Sequence, residues 1–342
     1  MLFCGIGDLH LDGRLSKHIP DLNRVIIAEV RSAITKAQKR GCRLVVFYGD
    51  IGDKPLLSYE AHVLLTDLFD EFAHMKFIML AGNHDRKDAV NTGIDLLAHW
   101  KKPNLRVVKD MPVMMFKNTD HPVNLLPWPY YKEVVSGATN VIHIEVAGSF
   151  MDSGRQFTSG NKIPANCFCV AGHLHTMHKV GKNVHYSGTL YQTYFGEKEG
   201  KYWHLVDAAE RTVENVKHSP KYILRNIIIN SPEDIDALIP DNQDILCKLF
   251  IKSGVALQDG VLDAHPNIIK HNTFKTKSEL EALVMSDFVI DDHSGAIQFD
   301  LEQALSDWMA AEGVTPKLQK AVHAANKELL AKRSGKSLTA TV

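Results

Sequence analysis

Residues 44–53 read LVVFYGDIGD. An unbroken apolar and aromatic run stops at Gly49, and two carboxylates, Asp50 and Asp53, follow at once. A short run of this kind, rich in β-branched and aromatic residues, reads as a strand buried on both faces. The same grammar lies on either side. LFCGIG at 2–7 is followed by Asp8 and His10, and FIMLAG at 77–82 by Asn83, His84 and Asp85. The segments between are amphipathic. From Asp21 to about Lys39, Leu22, Val25, Ile26, Glu29, Val30 and Ile34 fall at helical spacing. Further helices are expected from about Ser58 to Ala73 and from about Asp88 to Trp100. A βαβαβ order implies parallel strands with helices on their faces.

Downstream the chain turns strand-rich, with VVKD, PVMMFKN, VNLLPWP, NVIHIEVAG, CFCVAG, VHYSGTL and KYWHLVDA. The expected architecture is α/β, a two-sheet sandwich flanked by helices over residues 1–217. Composition shifts near KHSPKYI at 216–222. Short strands with acidic loops then suggest a small α+β capping domain at 218–295. Residues 296–342 are expected to form a C-terminal helical tail. Leu301, Leu305, Trp308 and Met309 share one face there, and Leu318, Val322, Ala325 and Leu329 another. Lys317, Lys320, Lys327, Lys332, Arg333 and Lys336 outnumber the single acid Glu328. That basic tail is either a solvated face or a docking segment.

The 342 residues exceed one ordinary core, and the formal net charge of −1 announces no nucleic-acid binder by itself. Cys4, Cys42, Cys167, Cys169 and Cys247 are scattered and mostly sit in apolar runs, which points to a reducing compartment without a disulfide framework. Strand-like residues begin at Leu2, so no signal peptide is expected, and no apolar run approaches the ~20 residues of a membrane helix. The expected location is the cytoplasm, that of a bacterial host if the chain is phage-encoded.

Five segments place polar, ligand-type residues directly after a buried strand. They are Asp8/His10, Asp50/Asp53, Asn83/His84/Asp85, His143/Glu145 and His173/His175. In an open α/β sheet the carboxyl ends of the strands form the site edge, so all five can converge. One Asp-x-His alone means little; five in the same context imply a dinuclear metal site. Carboxylate, imidazole and amide donors without thiolates suit Mn(II), Fe(II), Zn(II) or Mg(II) and argue against a structural zinc. Two such cations activate a water and hold both oxygens of an in-line phosphoryl displacement. His178, past the last of these segments, and His185 read as structural.

The order DxH, GDxxD, GNHD, a lone His after a strand, and GHxH resembles the calcineurin-like metallophosphoesterases. LLPWPY at 125–130 and YSGTLYQTYFGE at 186–197 look like segments flanking the site in the nuclease subunits of SbcCD-type double-strand-break repair complexes, most of all the phage recombination endonuclease subunits. The resemblance is strong over 5–200 and rests on layout beyond 220. It implies that Asp8, His10 and His175 hold one metal and Asn83, His143 and His173 the other, with Asp50 bridging. His84 would stand by the scissile phosphate as general acid or charge donor. Asp53 and Asp85 would support from behind, Asp85 by orienting His84 or by capping the following turn; Glu145 is a further candidate. Archaeal and eukaryotic relatives carry histidine where this chain has Asp53, which leaves the balance of exonuclease and endonuclease action open.

The implied activity is metal-dependent hydrolysis of DNA backbone phosphodiesters, with two divalent ions, Mn(II) or Mg(II), in recombination, replication and repair. The implied partners are DNA, an SbcC-like ABC-type coiled-coil ATPase docking on the tail, and a second copy of the chain. Leu64, Leu65, Leu68, Phe69, Leu96 and Leu97 offer apolar faces for that dimer, or for the core. The alternative is a small-molecule or nucleotide phosphodiesterase of the same superfamily. A protein phosphatase would favour GDxxDRG and GNHE; lipid-precursor hydrolases carry Arg at the position of His84.

Overall fold

The computed structural model describes residues 1–87, 91–152, 154–158, 161–257 and 260–286. The expected tail helices, at 300–311 and after Pro316, lie outside the described residues. Two large mixed sheets stack face to face. The first contains β1 (Leu2–Ile6), β2 (Leu44–Phe47), β3 (Lys76–Leu80) and β4 (Leu105–Val108), all parallel. The second is built on β5 (Val113–Met115), β6 (Val123–Leu126), β7 (Thr139–His143), β8 (Phe168–Gly172), β9 (His178–Val180) and β10 (Val184–Tyr186), in the order β5-β6-β7-β8-β10-β9. β11 (Lys201–Asp207) returns antiparallel to β1, and β12 (Thr212–His218) pairs with it at the sheet edge.

The apolar runs are continuous because both faces of these strands are covered. Alternation along one strand divides them between two cores. Phe3, Val46, Ile78 and Leu80 point to the second sheet and meet Val123, Leu125, Val141 and Val170. Their neighbours Cys4, Val45, Phe47, Phe77 and Met79 point the other way. They pack on Ile26, Ile27 and Val30 of α1 (Leu22–Lys39) and on Leu65, Leu68 and Phe69 of α2 (Tyr59–Glu71). Leu65, Leu68, Phe69 and Leu97 are therefore core residues, whereas Leu96 is 47% exposed. Each fully buried side chain of this kind contributes about 1.5–3 kcal/mol.

α1 and α2 match the sequence expectation closely. The third helix is shorter than expected: α3 spans only Asp95–His99. Asp95 accepts from the Thr92 amide at 3.0 Å and its hydroxyl at 2.6 Å, and the Gly93 amide donates to Asp85 O at 2.7 Å. These bonds hold the segment before Asp95 as a loop against the strand ends; positions 88–90 lie outside the described residues.

A separate three-stranded parallel sheet, β13 (Ile223–Ile229), β14 (Ile245–Lys252) and β15 (Ile268–Phe274), carries α4 (Asp234–Leu238) and α5 (Lys277–Met285). Its core gathers Ile227, Ile229, Ile235, Cys247, Leu249 and Ile251. Thr276 caps α5 in a capping box with Glu279. Gln192 joins this sheet to the sandwich, accepting from the Leu224 amide at 2.8 Å and donating to its carbonyl at 3.1 Å. No helix among the described residues is long and apolar enough to cross a membrane.

Candidate metal centre

β1, β2, β3, β7 and β8 end at one edge, where the alternation that fills the cores gives way to polar residues. The backbone there is strained. His10 has φ 46°, Asp50 φ 48° and His173 φ 87°, left-handed values that cost non-glycine residues of order 1–3 kcal/mol each. Hydrogen bonds hold them. The amides of Leu9 and His10 donate to Asp50 O at 2.8 and 3.0 Å, and the His173 amide donates to Asp8 Oδ1 at 2.8 Å. Two glycines make room: a Cβ on Gly49 would lie 2.3 Å from His143 Nδ1, and one on Gly82 would lie 2.0 Å from Asp50 Oδ1.

The structure brings together all seven residues expected to hold metal, in two groups that share Asp50. In the first, Asp8, His10 and Asp50 offer ligand atoms within 4.8 Å of one another, and His175 Nε2 lies 3.0 Å from His10 Nε2. In the second, Asp50, His143 and His173 do the same. Asn83 Oδ1 lies 3.0 Å from His143 Nε2 and 2.9 Å from His173 Nδ1, and Asp50 Oδ2 3.1 Å from His143 Nε2.

The far sides of these rings explain why a cation fits. His143 Nδ1 donates to the carbonyl of Tyr48 at 2.8 Å and His175 Nδ1 to Glu197 at 3.0 Å. Each Nε2 then turns a lone pair inward, the one toward Asn83 and Asp50 oxygens, the other toward the His10 nitrogen. A cluster of acceptors facing acceptors is satisfied by a proton or a cation. The titration of the buried rings reflects this. Burial alone would push His143 and His175 down. Asp50 and Asp8 instead raise His143 to about 9, and Glu197, Asp152 and Asp8 raise His175 to about 10. Asp50, which burial would push up, is held well below the usual carboxylate range by His143, His84 and His10.

His84 borders both groups. Its amide donates to Asp50 Oδ1 at 2.9 Å, its Nδ1 donates to Asp53 O at 3.1 Å, and its ring meets His10 edge-on at 4.9 Å between centroids. Asp53 Oδ1 lies 3.2 Å from His10 Nδ1, behind the first group. Asp85 accepts from the Gly52 amide at 3.0 Å and the Gly82 amide at 2.8 Å, tying the two loops together. Burial, then the charge of Asp50, raise it to about 7. His178 stands apart, stacked on Tyr186 at 4.7 Å and accepting from the Phe150 amide.

Other neighbours escaped the sequence reading. Glu197 and Lys201 form a buried pair behind His175, and Asp152 Oδ2 lies 3.5 Å from the same ring while accepting from Tyr194. Glu145, a candidate from its place after His143, lies 3.2 Å from His173 Nε2. The only signal for Glu197 was its place in the quoted segment 186–197.

Fold and site together define a metal-dependent phosphoesterase, with groups suited to divalent cations. Residues 1–233 match the family model for calcineurin-like phosphoesterases, and the chain belongs to that family. No curated protein matches the chain. Among the solved structures that it resembles, a crystal structure aligns over 64% of this chain and 99% of its own, at 14% identity and a TM-score of 0.37.

Proposed function

We propose that this phosphoesterase is a DNA nuclease of the SbcCD type, a Mn(II)- or Mg(II)-dependent exonuclease and endonuclease in DNA-end processing, recombination and repair. The observation that carries the reading is the assembly of Asp8, His10, Asp50, Asn83, His143, His173 and His175 at one strand edge, with His84 beside Asp50. Two divalent cations bound there supply Lewis acidity, charge neutralisation at the phosphate and an activated water. The protein's own groups do the rest. Asp50 is shared by both groups and fixes their separation. His84, anchored through Nδ1 to Asp53 O, serves the departing sugar oxygen from its other nitrogen as general acid.

DNA as substrate is supported by the segments that resemble those of repair nucleases, because both flank this site. In LLPWPY, Trp128 donates its amide to Ala81 O at 3.0 Å and accepts from Arg86 at 3.0 Å. In YSGTLYQTYFGE, Thr193 and Glu197 back His175. The near-zero net charge fits a nuclease that gains DNA affinity from its ABC-type ATPase, and the basic tail is the segment assigned to that partner. A second copy would pack near the exposed Leu96.

The test is cleavage of labelled single- and double-stranded DNA by the purified chain in Mn(II), with EDTA and His84→Gln controls. Degradation lost in both controls supports a metal nuclease that uses His84. Turnover of an aryl phosphodiester without DNA cleavage, with or without an added ATPase subunit, would move the substrate to small molecules.

A further inference from the structure

The two groups of candidate ligands are backed differently. His143 leans on a backbone carbonyl, and His173 lies near Glu145 at the rim. His175 instead leans on a charge pair taken wholly out of water: the side chains of Glu197 and Lys201 are 0% and 1% exposed. Burying two charges costs several kcal/mol per ion unless geometry and further hydrogen bonds repay it. Here nearly every further bond returns to His175. Thr193 donates its amide at 3.1 Å and its hydroxyl to Glu197 Oε1, the oxygen that His175 Nδ1 reaches at 3.0 Å. Lys201 binds Glu197 Oε2, donates to the Thr189 hydroxyl at 2.9 Å and lies 3.5 Å from His175 O. The Thr189 amide donates to that same carbonyl at 3.1 Å. The network thus fixes both the ring and the backbone of one residue, and its outlet toward the site is His175 Nε2.

We infer that Glu197, held by Lys201, is a positioning residue that sets metal affinity at the His10/His175 position independently of the His143/His173 position. The inference rests on the metal-centre reading above. With Nδ1–H committed to a carboxylate, the imidazole presents Nε2 as a fixed, more basic donor. Loss of such a partner costs metal sites about 10–100-fold in affinity. Lys201 keeps the carboxylate ionised and unable to rotate away. Glu197 acts through His175, from the Nδ1 side of the ring, away from the Nε2 that faces His10.

Calorimetric titration of the EDTA-treated, dialysed chain with Mn(II) alone tests this. The wild type should show two classes of site. His173→Ala should lose one class, leaving the His10/His175 position. Adding Glu197→Gln should then weaken the remaining class about 10–100-fold, and Glu197→Gln alone should weaken that class while sparing the other. In turnover the Mn(II) concentration for half-activity should rise by a similar factor, with the loss recovered at saturating metal. Glu197→Gln/Lys201→Gln, which leaves no buried charge, should melt cooperatively and show the same loss, so a fold defect in the single variant does not decide the matter. An unchanged remaining class, or equal weakening of both classes, overturns the inference. A wild-type chain that binds no Mn(II) overturns it together with the metal-centre reading.

Discussion

Tyr48 and Asp50 are two residues apart on one strand end, yet they belong to regions that treat buried imidazoles in opposite ways. Between the sheets, His204 lies 3.4 Å from the Tyr48 hydroxyl, and burial, then the charge of His185, push it down to about 3. At the strand edge His143 and His175 are just as deeply buried and are pushed up, to about 9 and about 10. Burial acts the same way on all three; carboxylates make the difference. The interior holds neutral groups that need no ion. The edge holds a surplus of carboxylate charge, which protons relieve and a divalent cation relieves better.

Removing the shared carboxylate should break the contrast most severely. Asp50→Asn takes a candidate ligand from both groups and a charge from beside His143. Metal catalysis contributes several kcal/mol to the transition state, so kcat/KM on an aryl phosphodiester should fall at least about a thousandfold, at ~1.4 kcal/mol per decade. Mn(II) titration should show the loss of binding directly. His84→Gln comes next. General acids contribute about 10²–10⁴-fold, and since His84 lies beside the groups, Mn(II) affinity should hold while kcat falls. Equal loss of affinity in this variant would make His84 a ligand instead.

The sequence made the edge legible to the extent that its residues stood next to strands. Asp8, Asp50, Asn83, His143 and His173 each follow an apolar run, and parallel topology does the rest. The groups that act on the edge from behind were hard to see. Glu197 and Lys201 come from the end of a loop and the start of β11, and their partner lies 22 positions upstream of the glutamate. Asp152 reaches Thr176 and Tyr194 from an excursion between β7 and β8 that carries no periodic pattern. α3 starts later than expected because the Thr92–Asp95 bonds hold the residues before it as a loop, and such bonds leave no periodic signal in the sequence. Sequence periodicity reports faces; it does not report long-range polar partners.

Packing offers a milder test of the same contrast. A Cβ on Gly82 would meet Asp50 Oδ1 at 2.0 Å and its amide nitrogen at 2.4 Å; a Cβ on Gly5 would meet the Tyr48 hydroxyl oxygen at 1.7 Å in the interior. Overpacking at either position should cost about 1–3 kcal/mol, visible as a lower Tm in both alanine variants. Only Gly82→Ala should also weaken Mn(II) binding, because the displaced group is Asp50 itself. If Gly5→Ala weakens it equally, edge and interior are mechanically one unit.

The smallest effect concerns the interior alone. His204 has a folded pKa of about 3, against about 6.5 in the unfolded chain. Between those values the unfolded state binds the proton and the folded state does not, so stability rises with pH. The contribution is fully present above about pH 6.5 and is lost as pH falls toward 3. At pH 5.5, one unit below the unfolded value, the loss is about 1.4 kcal/mol. His143 and His175 run the other way: their raised values add stability below about pH 6.5 that fades as pH rises toward 9 and 10. Denaturant melts of the metal-free wild type and His204→Asn at pH 7.5 and 5.5 separate the two regions. The wild type should lose about 1.4 kcal/mol more than the variant over that interval. Equal losses would mean that His204 takes up its proton in the folded chain with little penalty, and the interior would then be less dry than its packing implies.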